Sequence, residues 1–317
     1  VRDPAAFESE ALEAIRKAVP PPGRAIIAAS GGIDSTVAAV LVQRALGERA
    51  LALFVDTGLL REGEVERTTS LLGAAGVGFQ VLSRAERFFQ ALQGLTDPEA
   101  KRRAVGATFI RIFEEEASAQ GAEHLVQGTI APDWIESGGS LRDTIKTHHN
   151  VGGLPRDLRL RLVEPIRDLY KDEVRALARH LGVPEADRQP FPGPGLAVRV
   201  VGEVTPDRVA LARLACAVVE EEVDRAAAGG AIPRPWQYFA TLLPVRTVGV
   251  EGDVRTYGEA VSVRVVESRD AMTATALPLP PELTRRLAER ITRASSGRII
   301  RVLLDLTDKP PATIEWE

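Results

Sequence analysis

The chain has 317 residues, 44% hydrophobic and 26% charged, a composition that suits two compact domains and excludes disordered, collagenous and coiled-coil chains. The 40 Lys and Arg against 44 Asp and Glu leave a net charge of -4, so no overall polycation speaks for nucleic acid or an anionic membrane, and any anion must be bound locally. A single cysteine, Cys216, rules out an internal disulfide framework and a CxxC metal site, and its Ala/Val/Leu-rich surroundings suit a small core residue. No apolar run approaches the roughly 20 residues that span a bilayer, and VRDPAAFESEALEAIRKAV lacks the basic-then-apolar layout of a signal peptide. A cytoplasmic protein is expected.

In chain order, residues 5 to 19 read as an amphipathic helix that Pro20 to Gly23 must stop. Ala25 to Ala29 is a short buried-type strand, followed by SGGIDS and a helix on which Val37, Val40 and Leu41 share a face. A second strand, Ala50 to Val55, leads through a polar loop to a helix from Glu62 to Ala74, and Gly78 to Leu82 supplies a third strand. A long helix from Asp97 to Gln120 and a strand from His124 to Gln127 follow. Such alternation implies a parallel sheet covered by helices. Gly128 to Pro155 reads as a long loop of the kind that is functional or mobile inside a compact domain. After a helix from Asp168 to Leu181, the Pro- and Gly-rich RQPFPGPGLAVRV marks a boundary, giving domains 1–190 and 191–317. The second has an α+β character: helices at Pro206 to Ala228 and Pro281 to Ala294, strands at Ala260 to Val266 and Arg298 to Asp305.

Chemistry is concentrated in Ser30-Gly31-Gly32-Ile33-Asp34-Ser35, between an apolar strand and a helix. Free N–H groups and the positive end of the helix favour phosphate there. Two glycines let the backbone close around oxygens, and Ser30 and Ser35 offer hydroxyls. Asp34 alone would repel phosphate, and becomes intelligible with Mg²⁺ between them. The segment is neither GxxxxGK[ST] nor GxGxxG, so kinase-type and dinucleotide-binding readings lose support. For a bare SGG, a helix N-cap with a glycine turn is the plainer alternative.

SGGIDS resembles the PP-loop of the ATP pyrophosphatases, which cleave ATP between the α and β phosphates. Further segments are similar, in order and over essentially the whole chain, to the synthetase part of the GMP synthase family. They are FVDTGLLREGE (54–64), DPEAKRR (97–103), QGTIAPDWIES (127–137), IKTHHNVGGLP (145–155), PFPGPGLAVRV (190–200), LPVRTVGVEGD (243–253) and KPPATIEWE (309–317). The glutamine amidotransferase domain that many members carry in front, with its nucleophilic cysteine, is not seen. The chain thus resembles the separate synthetase subunit of two-subunit members, and an excised domain of a fused enzyme would read the same.

The resemblance implies an α/β protein: a parallel-sheet PP-loop ATP pyrophosphatase domain with a smaller α+β C-terminal domain that dimerises and binds xanthosine monophosphate (XMP). The implied reaction adenylates XMP with release of pyrophosphate, after which ammonia displaces AMP to give GMP. ATP and Mg²⁺ are the implied cofactors, and a homodimer with a separate glutamine amidotransferase subunit the implied assembly. Ser30, Gly31, Gly32, Ile33, Asp34 and Ser35 would hold the phosphates, with Phe54, Asp56 and Gly128 also at the ATP. Asp34 and Asp56 would hold the metal, a loop carboxylate capping the next helix being the alternative for Asp56. Gln127 to Thr129 would meet the nucleotide through the backbone, with Asp133 and Glu136 orienting the site. Lys146 joins Asp34 and Ser35 as a catalytic residue, brought in by a lid that carries His148 and His149; no third ligand at metal spacing accompanies this pair. XMP would be met by Arg102, Arg246, Arg264, Lys309, Thr313, Ile314 and Glu315. Lys101, Arg102 and Arg103 splay over a helical turn, and a solvated basic face is the alternative to a substrate contact.

Two other readings stay in view. Another PP-loop enzyme, such as NAD synthetase, argininosuccinate synthetase or a tRNA-thiolating enzyme, would keep the loop and change the acceptor. Thiolation generally relies on catalytic cysteines, and NAD synthetase would not need PFPGPGL or IEWE. A non-catalytic nucleotide-binding subunit is disfavoured by Ser30, Asp34, Lys146 and Lys309.

Overall fold

A computed structural model of the chain describes residues 3–131, 160–184, 188–269 and 271–317. Lys146, His148, His149, Asp133 and Glu136 lie outside the described residues. Two compact units emerge. The first takes Val1–Asp56, Gly63–Arg84 and Gly106–Asp187; the second takes Thr57–Glu62, Ala85–Val105 and Arg188–Glu317. Two stretches from the first half of the chain therefore belong to the second unit, an interleaving that a linear reading with one boundary at 190 does not express.

The first unit is built on a parallel sheet of β1 (Ala25–Ala29), β2 (Ala50–Asp56), β3 (Phe79–Ser83), β4 (His124–Val126) and β5 (Arg161–Val163), in the order β3-β2-β1-β4-β5. Ala25 pairs with Ala50 on one side and with His124 on the other, so β1 is central. The chain crosses to opposite sides of β1 for β2 and β4, which makes its carboxyl end the point where open α/β sheets collect ligands. Helix α1 (Pro4–Ala18) starts on Asp3, whose carboxylate accepts from Ala6 N at 3.2 Å, and has Pro4 in its first turn. It packs on α2 (Ile33–Leu46). A single buried face was expected for α2, yet every residue from Ser35 to Val42 is buried. The reason is its place between β1 and β2 on one side and α1 and the helix Lys171–Leu181 on the other. Helix α3 (Glu64–Ala74) connects β2 to β3.

In the second unit a long antiparallel hairpin joins β6 (Gln237–Glu251) to β7 (Val254–Glu267), with the two-residue β8 (Thr275–Ala276) antiparallel and β9 (Ile299–Leu304) parallel to β7. Helix α4 (Ala85–Leu92) and the first turns of α5 (Pro98–Gln120) belong to this unit, and the rest of α5 to the first. The helix Lys171–Leu181 of the first unit is α6; α7 (Pro206–Ala228) and α8 (Pro281–Ala294) cover the sheet of the second. Thr205 caps α7 by accepting from Arg208 N at 3.2 Å, with Pro206 at the first helical position. Cys216 on α7 is buried, its thiol donating to Ala240 O at 3.2 Å. Burial pushes that thiol above its ordinary pKa, as fits a packing role. Among the described residues no helix is long and apolar enough to cross a membrane.

Candidate active site

Where β1 ends, Ser30, Gly31 and Gly32 turn the chain into α2. Gly31 has φ +76°, and a Cβ there would stand 2.3 Å from Thr68 Oγ1, so glycine is required both by conformation and by contact. Gly32 is the N-cap residue of α2 and offers no side chain to cap it. The first-turn N–H groups therefore have no partner within the helix, the condition an anion site needs. The loop is held by its own hydroxyls: Ser30 Oγ and Ser35 Oγ lie 2.9 Å apart, and Ser30 N donates to Ser35 Oγ at 3.1 Å. Thr36 Oγ1 donates to Gly32 O at 2.9 Å.

Among the described residues, four buried polar atoms around this loop lack a hydrogen-bond partner: Asp34 Oδ1, Thr68 Oγ1, Arg67 Nε and Gln127 Oε1. Buried polar groups of this kind are completed by ordered water, an ion or a ligand. Asp34 Oδ2 accepts from Lys171 Nζ at 2.6 Å, placing one cation beside the loop. Arg67 donates to Gly31 O at 3.0 Å and to Glu64 Oε1 at 2.6 Å, tying α3 to the loop. Gly128, just after β4, lies against the start of α2: a Cβ on it would come within 2.7 Å of Ser35 N and Ser35 Cα. Gln127 N donates to Val163 O at 3.0 Å and so fixes that strand end. Asp56 closes β2, its carbonyl accepting from Arg84 N at 2.9 Å. Phe54 has its ring in the core of this unit, so only its backbone edge can border a nucleotide. Lys171, Arg67 and Thr68 were not picked out from the sequence. They stand in other elements, and no motif spacing connects them to the loop.

The second unit gathers most of the residues expected at XMP around the segment 305–317. Lys309 pairs its backbone with Ala274, and its Nζ donates to Ala271 O at 2.7 Å. Arg264, expected to meet a phosphate, is instead fully buried: it donates to Ile314 O at 2.8 Å, Thr307 O at 2.8 Å and Thr313 O at 2.9 Å, and pairs with Asp305 at 2.9 Å. With its donors spent on the tail, it holds the tail rather than facing a ligand. The Glu315 carboxylate is likewise engaged, by Arg199 at 2.9 and 3.2 Å and by Gln237 Nε2 at 2.8 Å. Ile314 is buried, and Thr313 Oγ1 donates to Glu315 O. Of the basic run on α5, Lys101 is fully buried against Glu317 and donates to Val200 O at 2.8 Å. Burial pulls that ammonium below its ordinary pKa against the opposing pull of Glu317. Arg102 reaches Glu317 O, while Arg103 is exposed. Arg246 sits exposed on the hairpin, bonded to Tyr257 O at 3.0 Å and not to the tail.

A glycine loop and an uncapped helix at the central strand of a parallel sheet, ringed by unpartnered polar atoms, define a PP-loop nucleotide-binding protein of the ATP pyrophosphatase class. A model of the NAD synthase family matches residues 13–130, and one of the GMP synthase C terminal domain matches residues 224–316. The chain is 55% identical over 314 residues to a separate subunit of the glutamine-hydrolyzing GMP synthase of Pyrococcus horikoshii, covering 98% of both chains. It is 55% identical to the corresponding subunit from Thermococcus kodakarensis, covering 98% of this chain and 99% of the relative. The glutamine-hydrolyzing GMP synthase of Aeropyrum pernix is 51% identical over 317 residues, with 61% of its own length covered. The chain belongs to the GMP synthase family. It is a ligase, with the α/β fold and second unit that the sequence led one to expect.

Proposed function

We propose that this chain carries out the synthetase half of GMP formation from ATP, XMP and ammonia. The carbonyl oxygen at carbon 2 of XMP attacks the α-phosphorus of ATP as the neighbouring ring N–H gives up its proton; a new P–O bond forms as the α–β bridge breaks and pyrophosphate departs. Ammonia then adds at carbon 2, AMP leaves with the former carbonyl oxygen, and the nitrogen loses a proton to give GMP. The chain's own work is positioning and charge stabilisation rather than covalent catalysis. The observation that carries this reading is the hydroxyl-braced Ser30–Ser35 loop with Asp34 Oδ1 buried beside it and without a hydrogen-bond partner among the described residues.

In this reading the first-turn N–H groups of α2 and the Ser30 and Ser35 hydroxyls grip the phosphates, with Gly31, Gly32 and Ile33 forming the floor. Phe54, Asp56 and Gly128 border the nucleotide, and Lys146 adds positive charge. The residues fit Mg²⁺: Asp34 has one carboxylate oxygen to spare, Asp56 is a second donor, and among the described residues no group of three or more His, Cys, Asp or Glu gathers. One or two carboxylates completed by phosphate oxygens is the usual magnesium arrangement, and the ion would neutralise phosphate charge when bound. Arg102, Arg246 and Lys309 serve the XMP phosphate and residues 313–315 the purine. Exposed apolar side chains on the β6–β7 hairpin, Val250, Val254 and Tyr257 among them, support a homodimer through the second unit. The name shared by the relatives, that of one subunit of a glutamine-hydrolyzing enzyme, supports a partner subunit that hydrolyses glutamine to supply ammonia.

The test is an assay with ATP, Mg²⁺, XMP and ammonium. GMP, AMP and pyrophosphate should form in equal amounts. ATP cleavage without GMP, or no reaction, would overturn the reading.

A further inference from the structure

We infer that Arg264 and Arg199 are positioning residues for XMP: two buried guanidiniums that set the shape of residues 305–317 on which its binding depends. The inference rests on the reading that this tail meets XMP.

Both side chains are fully buried. Burying a guanidinium is costly unless its donors are met, and here nearly all are met by one segment. Arg264 projects from β7 and draws together Asp305, Thr307 O, Thr313 O and Ile314 O, each at 2.8 to 2.9 Å. The two ends of the turn through Lys309 are thereby joined at one planar group. Asp305 also accepts from Trp316 Nε1 at 3.0 Å, extending the same anchor to the far side of Glu315. Arg199 takes the Glu315 carboxylate with two of its nitrogens, and its guanidinium lies over Phe239 at 4.2 Å and Phe191 at 5.1 Å. It can shift neither sideways nor out of plane without losing a partner.

Helices and sheets do not impose this shape on the tail. Among the described residues, the only β pairing beyond β9 is the bridge between Ala274 and Lys309. The conformation of the tail is therefore written in side-chain donors on other elements. Lysine cannot replace either arginine, because a single flexible ammonium cannot span three carbonyls or grip a carboxylate with two parallel donors. Such a replacement keeps the charge and frees the tail.

Steady-state kinetics on the full chain test this. Arg264→Lys and Arg199→Lys should each raise the KM for XMP by at least about tenfold, since small misplacements of binding groups are expensive. The KM for ATP and kcat at saturating XMP should stay within about twofold. If both KM values rise together, or kcat falls alone, the arginines are general supports and the inference is overturned. Lys309→Ala is the companion measurement. If it weakens XMP while neither arginine variant does, the tail reading stands and the inference fails. If Lys309→Ala has no effect on XMP, the reading of the tail falls and takes the inference with it. Arg199→Lys keeps its charge between the phenylalanines and carries the test should Arg264→Lys fold poorly.

Discussion

Gly128 shows how little freedom the nucleotide site has. Its backbone lies so close to the first turn of α2 that a methyl group would overlap Ser35 N, Ser35 Cα and Asp34 C, all within 2.8 Å. Backbone neighbours cannot rotate away as a side-chain tip can. Gly128→Ala should therefore displace the phosphate cradle and lower kcat/KM for ATP by on the order of 100-fold, with the fold kept. An ATP titration that matches the unsubstituted chain would show that the strand-end loop yields instead. At this scale the sequence was legible where residues adjoin in one motif. Ser30, Asp34 and Ser35 sit together because a strand, a glycine turn and a helix must follow one another. Thr68, Arg67 and Lys171 were not legible, because tertiary packing brings them to the loop from α3 and α6. Arg264 was misplaced for a related reason: a basic residue on a strand reads as a phosphate ligand until its donors are seen turned to carbonyls inside.

The pair α7 and α8 is stitched by one carboxylate. Glu222 is fully buried and accepts from Arg225 at 2.6 Å, Arg290 at 2.6 Å and Arg286 at 3.0 Å. Burial alone would raise its pKa, yet the hydrogen bonds from Arg290 and Arg286 bring it below the ordinary 4.5. A lowered folded-state pKa means that the stabilisation is complete above the unfolded value and is lost as pH falls through the folded one. Glu222→Gln should cost on the order of 3 kcal/mol near pH 7. Thermal unfolding at a series of pH values checks this: the gap between the two proteins should narrow steadily as pH falls below the ordinary carboxylate range, and a gap that stays constant there would exclude a charge-based role. Both helices were legible from the sequence with the same limits, because Pro at the start and periodic apolar residues mark them. Most of β6 was not. Pro244 interrupts it, and a proline inside a run argues against a strand; the structure accommodates it at the register shift between Leu242 and Arg246.

For the whole molecule, the second nitrogen source is the informative variable. With glutamine replacing ammonium, the chain alone should make no GMP, and adding the glutamine amidotransferase subunit of a relative should restore synthesis. GMP formed from glutamine by the chain alone would place a glutaminase activity where none is proposed. The alternation of β1 to β4 with helices could be read from apolar runs, but β5, α4, the spatial order of the strands and the composition of the units could not, because they depend on contacts far apart in the chain. Lys101 meets Glu317, Leu59 O accepts from Leu196 N at 2.8 Å, and Leu60 O accepts from Arg213 at 2.8 Å. A Cβ on Gly195 would stand 2.4 Å from that same Leu59 O. This interleaving has a hereditary consequence. If two related genes recombined near codon 188, the product would join the later part of one second unit to the Thr57–Glu62 and Ala85–Val105 stretches of the other. Mismatched ancestry at these contacts would spoil one module from within, so the stretches on either side of that junction must descend together.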